Sequence, residues 1–358
     1  MNVEIAERSV RDLTQDVALS AVKLRALERN PFLSSVDSLG KIVGLYEGRE
    51  IGGEYVFPVW VKAKGRELCA LAGSTLSVEA AYRKSGLGMD LPELRWQKSP
   101  SGIALGAGLS QMAVPVHQLL DYAVFFLPRY MFLCKSRSVV EMKLKGLLAR
   151  LTAGLVDVLL AVQAGVIGFL SWFKMRGVEV VRILPEDSMG LAEVAQLIKN
   201  DSHEYAEVHD EKWLRWHLTE SFSEDGPAQL YLARRQGGAI GFWMTKRRFH
   251  AQASRRGFKN VWLGSIIEWQ VTKEEAKFLP WFMLAAALGL RRSGVDAVEL
   301  PTDETTVQRF LRRLGWHAIG EGNFVIKAGS TSPVASDLEM KVQANWRLRP
   351  AMGDNGLS

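Results

Sequence analysis

Residues 69–88 hold the feature that most limits the fold. Cys69-Ala70-Leu71-Ala72-Gly73-Ser74-Thr75-Leu76-Ser77-Val78 is an apolar, strand-like run that feeds directly into Glu79-Ala80-Ala81-Tyr82-Arg83-Lys84-Ser85-Gly86-Leu87-Gly88. Two glycines two apart, preceded by two cations, make a turn whose backbone N–H groups can converge on one anion. A helix opening at Gly88 adds the positive end of its dipole at the same place. Strand, glycine turn and helix start together predict a pyrophosphate cradle. The first glycine of the G-x-G-x-x-G pattern is absent, which excludes the dinucleotide-binding fingerprint.

The surrounding sequence supplies a series of elements. Residues 3–8 read as a short strand, and Ser9 or Asp12 can cap a helix to about Arg29, ended by Asn30-Pro31. Residues 41–45, 55–61 and 67–78 read as strands joined by turns at 47–50 and 64–66. A strand at 102–106, a helix at 110–121 and a strand at 123–134 follow. The second half runs through a similar series. It has a strand at 178–183, a helix at 189–199, a hairpin over 230–246 and a strand at 261–271. A helix at 273–292, a strand at 297–300, a helix at 304–314 and a closing hairpin over 316–327 complete it.

The pattern Val78-x-x-x-x-Arg83-x-x-Gly86-x-Gly88, set in this order of elements, resembles the acyl-CoA loop of the GNAT N-acetyltransferases. The resemblance covers roughly residues 1–135. In the second half, Gly315-Trp316 after a helix resembles the Gly-Phe that starts the family's last strands. The resemblance implies an α/β (α+β) fold of two tandem GNAT-like domains, each a mixed, mostly antiparallel sheet flanked by helices. The domains would occupy residues 1–135 and 178–329, with a connector at 136–177 and a tail at 330–358.

The resemblance also implies a reaction: direct acyl transfer from a CoA thioester to an amine. That chemistry needs a phosphate cradle, donors for the thioester oxygen, a proton acceptor for the amine and a donor for the thiolate. The N–H groups of Lys84, Ser85, Gly86, Leu87 and Gly88 would meet the pyrophosphate, with Arg83 where the family has Arg or Gln. Leu76, Ser77 and Val78 would lie beside the pantetheine arm, and the N–H of Leu76 or Val78 would polarise the thioester. The family's Asn-x-x-Ala-x-x-x-Tyr-x-x-x-Gly-Phe frame is matched by Ser110-x-x-Ala113-x-x-x-His117-x-x-x-Asp121-Tyr122. His117 thus stands where the family has the tyrosine that protonates the thiolate, and a histidine can act as acid or base near neutral pH. Tyr122 and Tyr130 are further donors, and Glu79 is the candidate base. Packing, for the histidine and tyrosines, and a solvated edge, for Glu79, are the alternatives.

The matching loop of the second half, Val271-Thr272-Lys273-Glu274-Glu275-Ala276-Lys277-Phe278, has no glycine and sets two carboxylates where a pyrophosphate would lie. Leu311 stands at the tyrosine place. CoA binding is therefore expected at one site only. Asp210-Glu211-Lys212-Trp213-Leu214-Arg215-Trp216-His217 resembles an element of tandem bacterial GNAT proteins from polysaccharide clusters. There Trp213, Arg215, Trp216 and His217 would hold a sugar by stacking and hydrogen bonding; core packing of a Trp-rich helix is the alternative. The chain end, Asn345-Trp346-Arg347-Leu348-Arg349-Pro350-Ala351-Met352-Gly353-Asp354, resembles that group too, and a docked tail suffices to explain it.

Residues 151–173 carry only two strongly polar side chains, Asp157 and Gln163. The stretch is long enough to cross a bilayer, but basic residues flank both ends, so charge assigns no orientation. Asp157 would cost about 3 kcal/mol at the membrane centre, and a single crossing would part the two halves. A buried inter-domain helix, an interfacial helix and a true span remain the three readings, the first preferred.

The net charge of +6 suits an anionic ligand or an anionic membrane surface, without long basic tracts that would call for nucleic acid. Two cysteines in apolar runs, Cys69 and Cys134, suggest buried thiols in a reducing compartment. No signal peptide is expected from residues 1–8. Neither a metal site nor a covalent nucleophile motif is evident. The expected protein is a cytoplasmic acyl-CoA-dependent N-acyltransferase, most simply an acetyltransferase, at most membrane-associated on the cytosolic face. Its acceptor would be an amine such as an amino sugar or polysaccharide precursor. A Fem-like transferase fed by aminoacyl-tRNA and a non-catalytic binding or scaffold protein are the rival expectations.

Overall fold

The computed structural model describes residues 2–16, 20–137, 140, 146–220, 225–250, 260–329 and 338–353. The first half runs β1 (Glu4–Ser9), α1 (Ala21–Glu28), β2 (Leu39–Tyr46), β3 (Arg49–Ala63), β4 (Arg66–Val78), α2 (Leu87–Lys98), β5 (Ile103–Ala107), α3 (Ala113–Leu119) and β6 (Ala123–Leu133). A long helix, α4 (Gly146–Lys174), leads to the second half. That half runs β7 (Val178–Ile183), α5 (Ser188–Lys199), β8 (Tyr205–Glu207), α6 (Glu211–Thr219), β9 (Gln229–Arg235), β10 (Gly238–His250), β11 (Val261–Val271), α7 (Leu279–Arg292), β12 (Ala297–Pro301), α8 (Thr305–Arg313) and β13 (His317–Ala328). The tail adds β14 (Trp346–Arg347).

Three X-Gly pairs lay out the antiparallel strands. Glu47-Gly48, Lys64-Gly65 and Gln236-Gly237 have positive φ at both residues, the backbone that lets a two-residue hairpin match strand twist. They join β2 to β3, β3 to β4 and β9 to β10. The single helix expected up to Arg29 is instead a short 3₁₀ turn, Arg11–Gln15, and α1, whose first turn is capped by Ser20 accepting from the Lys23 N–H at 3.3 Å.

All the strands join one mixed sheet flanked, among the described residues, by eight α-helices. Its main path runs β1-β2-β3-β4-β5-β13-β6-β12-β11-β10-β9-β7. The order at the middle departs from the expected closing hairpin. Residues 317–328 form one strand, and it inserts between β5 and β6 of the first half. In turn β6 separates β12 from β13, pairing with both. Each half therefore completes its sheet with a strand of the other, which an antiparallel ladder permits wherever length and side-chain alternation match. The boundary drawn at residue 135 is crossed by the sheet.

The tail is docked, as a packed tail should be: Trp346 stacks on Tyr205 with ring centroids 5.2 Å apart, and its indole N–H donates to the Met340 carbonyl at 2.7 Å.

Helix α4 is not buried on most faces. Leu151, Leu155, Leu159, Val162, Val166 and Phe169 are each at least 57% exposed. Its inward side carries Ala153, Ile167 and Ser171 against the body, and both strongly polar residues turn that way. Asp157 accepts from the Ser136 N–H at 2.6 Å, and Gln163 donates to the Leu314 carbonyl at 2.8 Å. Of the two cysteines, Cys134 is buried and Cys69 is half-buried.

Candidate active site

Strands β4 and β5 run parallel but pair only over Leu71–Gly73 and Ala104–Gly106. Past Gly73, β4 bulges. Ser74 faces Tyr55 and Ser77 faces Gly53, so Thr75 and Leu76 together oppose Glu54, and Thr75 takes a φ of 54°. A bulge bends the strand that carries it. The two strands part, and a cavity of about 220 Å³ opens between them, walled by Leu76, Glu54, Arg95, Ser110 and His117 among others.

The glycine turn lies where β4 leaves the sheet. Gly86 is the N-cap of α2 with a φ of 90°, a conformation that favours glycine, and the helix starts at Leu87, one residue earlier than expected. The Leu87 N–H donates to Ser85 Oγ at 3.2 Å and the Met89 N–H to the Gly86 carbonyl at 2.7 Å. The N–H groups of Gly86 and Gly88 meet no protein acceptor among the described residues. A helix start with unspent donors beside exposed Arg83 and Lys84 is a fit for a phosphate. Asp90 in the first turn sets a negative charge against the same end.

The two expected proton donors are held by the backbone. His117 Nδ1 lies 2.9 Å from the Ala113 carbonyl, and a carbonyl only accepts, so the ring's proton sits on Nδ1. Burial, with help from the Arg95 charge, pushes its pKa down to about 4. At neutral pH His117 is thus uncharged and presents Nε2 as an acceptor, not as the expected acid. Tyr122 is buried, its hydroxyl donates to the Pro92 carbonyl at 2.8 Å and accepts from Arg95 at 3.3 Å, and burial pushes it up to about 12. Tyr130 is fully buried and accepts from Arg312 at 2.9 Å. Glu79 pairs with Arg49 at 2.9 Å on the outer edge and is not part of the cavity wall.

Two residues missed by the sequence reading form the cavity wall. Arg95, on the buried stripe of α2 with Leu87 and Leu91, makes a close ion pair with Glu54, and both are almost fully buried. Burial pushes the Glu54 carboxyl upward despite the opposing Arg95 charge. Glu54 Oε2 and Arg95 Nε have no hydrogen-bond partner among the described residues. The signal was present: Glu54 is the only charge between Ile51 and Val61, and spacing of four along α2 puts Arg95 on the apolar face.

A third missed residue is Glu207 of β8. It lines a small cavity whose wall shares Gly73, Ser74, Gly106 and Ala107 with the first. Behind it, His209 Nε2 stands 3.7 Å from Glu207 Oε1, and His209 Nδ1 stands 2.7 Å from Glu268 Oε2. Burial works against a charged His209, yet Glu268 and Glu207 outweigh it and raise its pKa. Arg347 of the tail closes the chain on Glu268.

On the side toward the second half, a cleft of about 690 Å³ shares Gly108, Leu109 and Ser110 with the cavity of the β4–β5 opening. Arg129, in its bidentate pair with Glu299 (2.6 and 2.7 Å), and His250 line both this cleft and an adjoining one of about 310 Å³, whose wall also carries Lys246, Arg247 and Arg248. The volume is in the range of small-ligand sites.

The expected sugar platform is not available. Trp213, Trp216 and His217 are at most 5% exposed inside the core under α6, because that helix buries its apolar stripe. His209 stacks on Trp213 at 3.7 Å, Trp216 donates to the Ala26 carbonyl at 2.9 Å, and Arg215 is bound to the Pro185 carbonyl.

A parted parallel pair, a bulge beside it and a glycine turn leading to a helix define the GNAT fold, and solved structures agree. The chain is similar to Saccharomyces cerevisiae N-myristoyltransferase with bound myristoyl-CoA, at 11% identity and a TM-score of 0.58, over 91% of this chain and 79% of that one. It is similar to an Enterococcus faecalis protein described as a probable N-acyltransferase, at 12% identity and 0.55, over 91% and 72%. A GCN5-related N-acetyltransferase from Anabaena variabilis matches at 11% identity and 0.53, over 91% and 73%. No protein-family model and no curated protein matches the sequence. The chain has the GNAT fold.

Proposed function

We propose that the protein is an N-acyltransferase that moves an acyl group, most simply acetyl, from CoA directly to an amine. The observation that carries this is the opening between β4 and β5, together with the helix start after β4 where the N–H donors of Gly86 and Gly88 are unspent. CoA would lie with its pyrophosphate on residues 83–88 and its thioester between β4 and β5. The polar wall of Glu54 and Arg95 favours a short acyl group over a long alkyl chain.

In the transfer the amine attacks the thioester carbonyl, its proton leaves to a base, and the C–S bond breaks to release the thiolate. Glu207 is the proton acceptor on the acceptor side, steadied by His209 and Glu268. Arg95, in the cavity wall beside Glu54, stabilises the developing thiolate by charge, in place of a proton donor. The acceptor enters from these two adjoining clefts, and Lys246, Arg247 and Arg248 of the smaller one favour an amine that also bears a negative group. An amino sugar or polysaccharide precursor fits that description by size and rests otherwise on the sequence resemblance. A CoA donor places the work in the cytoplasm.

Calorimetric titration with acetyl-CoA tests the reading. Binding is expected, and it should be lost in Gly86→Glu, which puts a carboxylate in the cradle. Absence of binding to the wild type would sink it. The committed protons of His117 and Tyr122 favour one second reading, a binding protein without turnover; acetyl-CoA binding with no thiol release on any amine would establish that instead.

A further inference from the structure

We infer that α4 docks the protein on an anionic lipid surface, lying flat within the headgroup region rather than crossing the bilayer. The helix has 29 residues, about 43 Å of length at the α-helical rise. Its outer face is apolar from Leu151 to Phe173, and Trp172 and Phe173 are 66% and 54% exposed at its C-terminal end. Aromatic rings at the end of an apolar face are suited to the boundary between headgroups and chains.

The inner face fixes the orientation. Ser136 Oγ donates to the Ala153 carbonyl at 3.0 Å, Arg291 to the Leu160 carbonyl at 3.0 Å and Gln163 to the Leu314 carbonyl at 2.8 Å. Ile167 and Ser171 continue the buried side. The helix is thus attached lengthwise to α7, α8 and the sheet over about 27 Å. Held this way it cannot enter the hydrocarbon end-on without carrying its body with it. Its outer face can sink a few ångströms while the body stays in water.

Charge selects the occupant. From Gly146 to Gly177 the only acid is Asp157, and it faces inward to Ser136. Arg150 at one end and Lys174 and Arg176 at the other are exposed and make no ion pair among the described residues. A second copy laid against this face, parallel or antiparallel, would set cations against cations with no acid to meet them. Anionic headgroups complement both ends at once.

The test is co-sedimentation of the full chain with phosphatidylcholine vesicles, with and without phosphatidylglycerol. Binding is expected to the anionic vesicles, to weaken with salt and to be reversed by alkaline carbonate. Leu155→Glu with Val162→Glu should abolish it while circular dichroism stays unchanged, since both positions are solvent-exposed. Arg150→Glu with Lys174→Glu should weaken it about tenfold or more. No binding to anionic vesicles would overturn the proposal, and so would resistance to carbonate extraction, the mark of a true span. A wild-type dimer in sedimentation velocity that Leu155→Glu with Val162→Glu converts to monomer would give the face to a second copy instead.

Discussion

The Nδ1 of His117 lies 2.9 Å from the carbonyl of Ala113, one turn earlier on the same helix. That contact fixes the tautomer of a buried imidazole whose pKa falls from 6.5 to about 4. The folded state binds the proton more weakly than the unfolded state does. Stability is therefore full above about 6.5 and falls as the pH drops toward 4, by roughly 3 kcal/mol in all. Denaturant melts of wild type and His117→Gln at pH 7, 5 and 4 check this. The variant should lose markedly less over that interval, and equal losses would contradict the assignment.

The same contact predicts the kinetics. If His117 were the general acid, thiol release would require its protonated form and would be lost as the pH rises past about 4, leaving little at neutral pH. With the proton held on Nδ1, His117→Gln should keep turnover within about tenfold of wild type, whereas loss of a positioned acid typically costs 10²–10⁴-fold. A thiol-release assay separates the two.

Gly73 makes room for the wall of the cavity. A methyl group on it would collide with Arg95 Nη1 and Glu54 Oε1. Gly73→Ala should therefore cost roughly 3 kcal/mol, by overpacking and by disturbing a buried ion pair. Arg95→Met leaves Glu54 buried alone and should cost about 3–5 kcal/mol, while Arg95→Met with Glu54→Leu should recover much of that loss. Urea midpoints for the three variants make the comparison.

How much of this was legible in the sequence depends on range. Hairpins at Glu47-Gly48, Lys64-Gly65 and Gln236-Gly237 and the helix start at Gly86 are local, set by glycine and its neighbour, and the sequence carries them. The apolar helix was visible, but which of its faces is covered was not, since that depends on Leu314 and Arg291 far along the chain. The placement of β13 between β5 and β6 is a long-range choice among strands of similar pattern, and no local signal encodes it. The site divides the same way. The loop at residues 83–88 was legible because backbone geometry makes it. The burial of Trp213 and the meeting of Glu207 with the β4–β5 opening follow from packing between halves.

The exchanged strands predict that neither half stands alone. A chain ending at residue 177 lacks β13, so β5 and β6 lose their shared neighbour and Phe125, Leu127 and Leu105 are uncovered on one side. Expressed alone it should be aggregated or lack cooperative unfolding, and co-expression with residues 178–358 should restore a soluble complex. Independent folding of residues 1–177, seen as dispersed amide signals, would contradict the coupling.

Glu207 is the last and sharpest case. It is 2% exposed, belongs to a three-residue strand between β3 and β14, and reaches the cavity at Gly73 and Gly106. Its charge, with that of Glu268, favours the protonated form of the buried His209. In the proposed reaction it accepts the amine's proton, with His209 and Glu268 standing behind it. Glu207→Gln keeps the shape and removes the base. It should lower kcat by about 10²–10⁴-fold while leaving acetyl-CoA affinity unchanged, and Glu207→Asp should recover part of the rate. A loss confined to KM would mean that Glu207 binds the amine without taking its proton, and unchanged kinetics would remove it from the reaction.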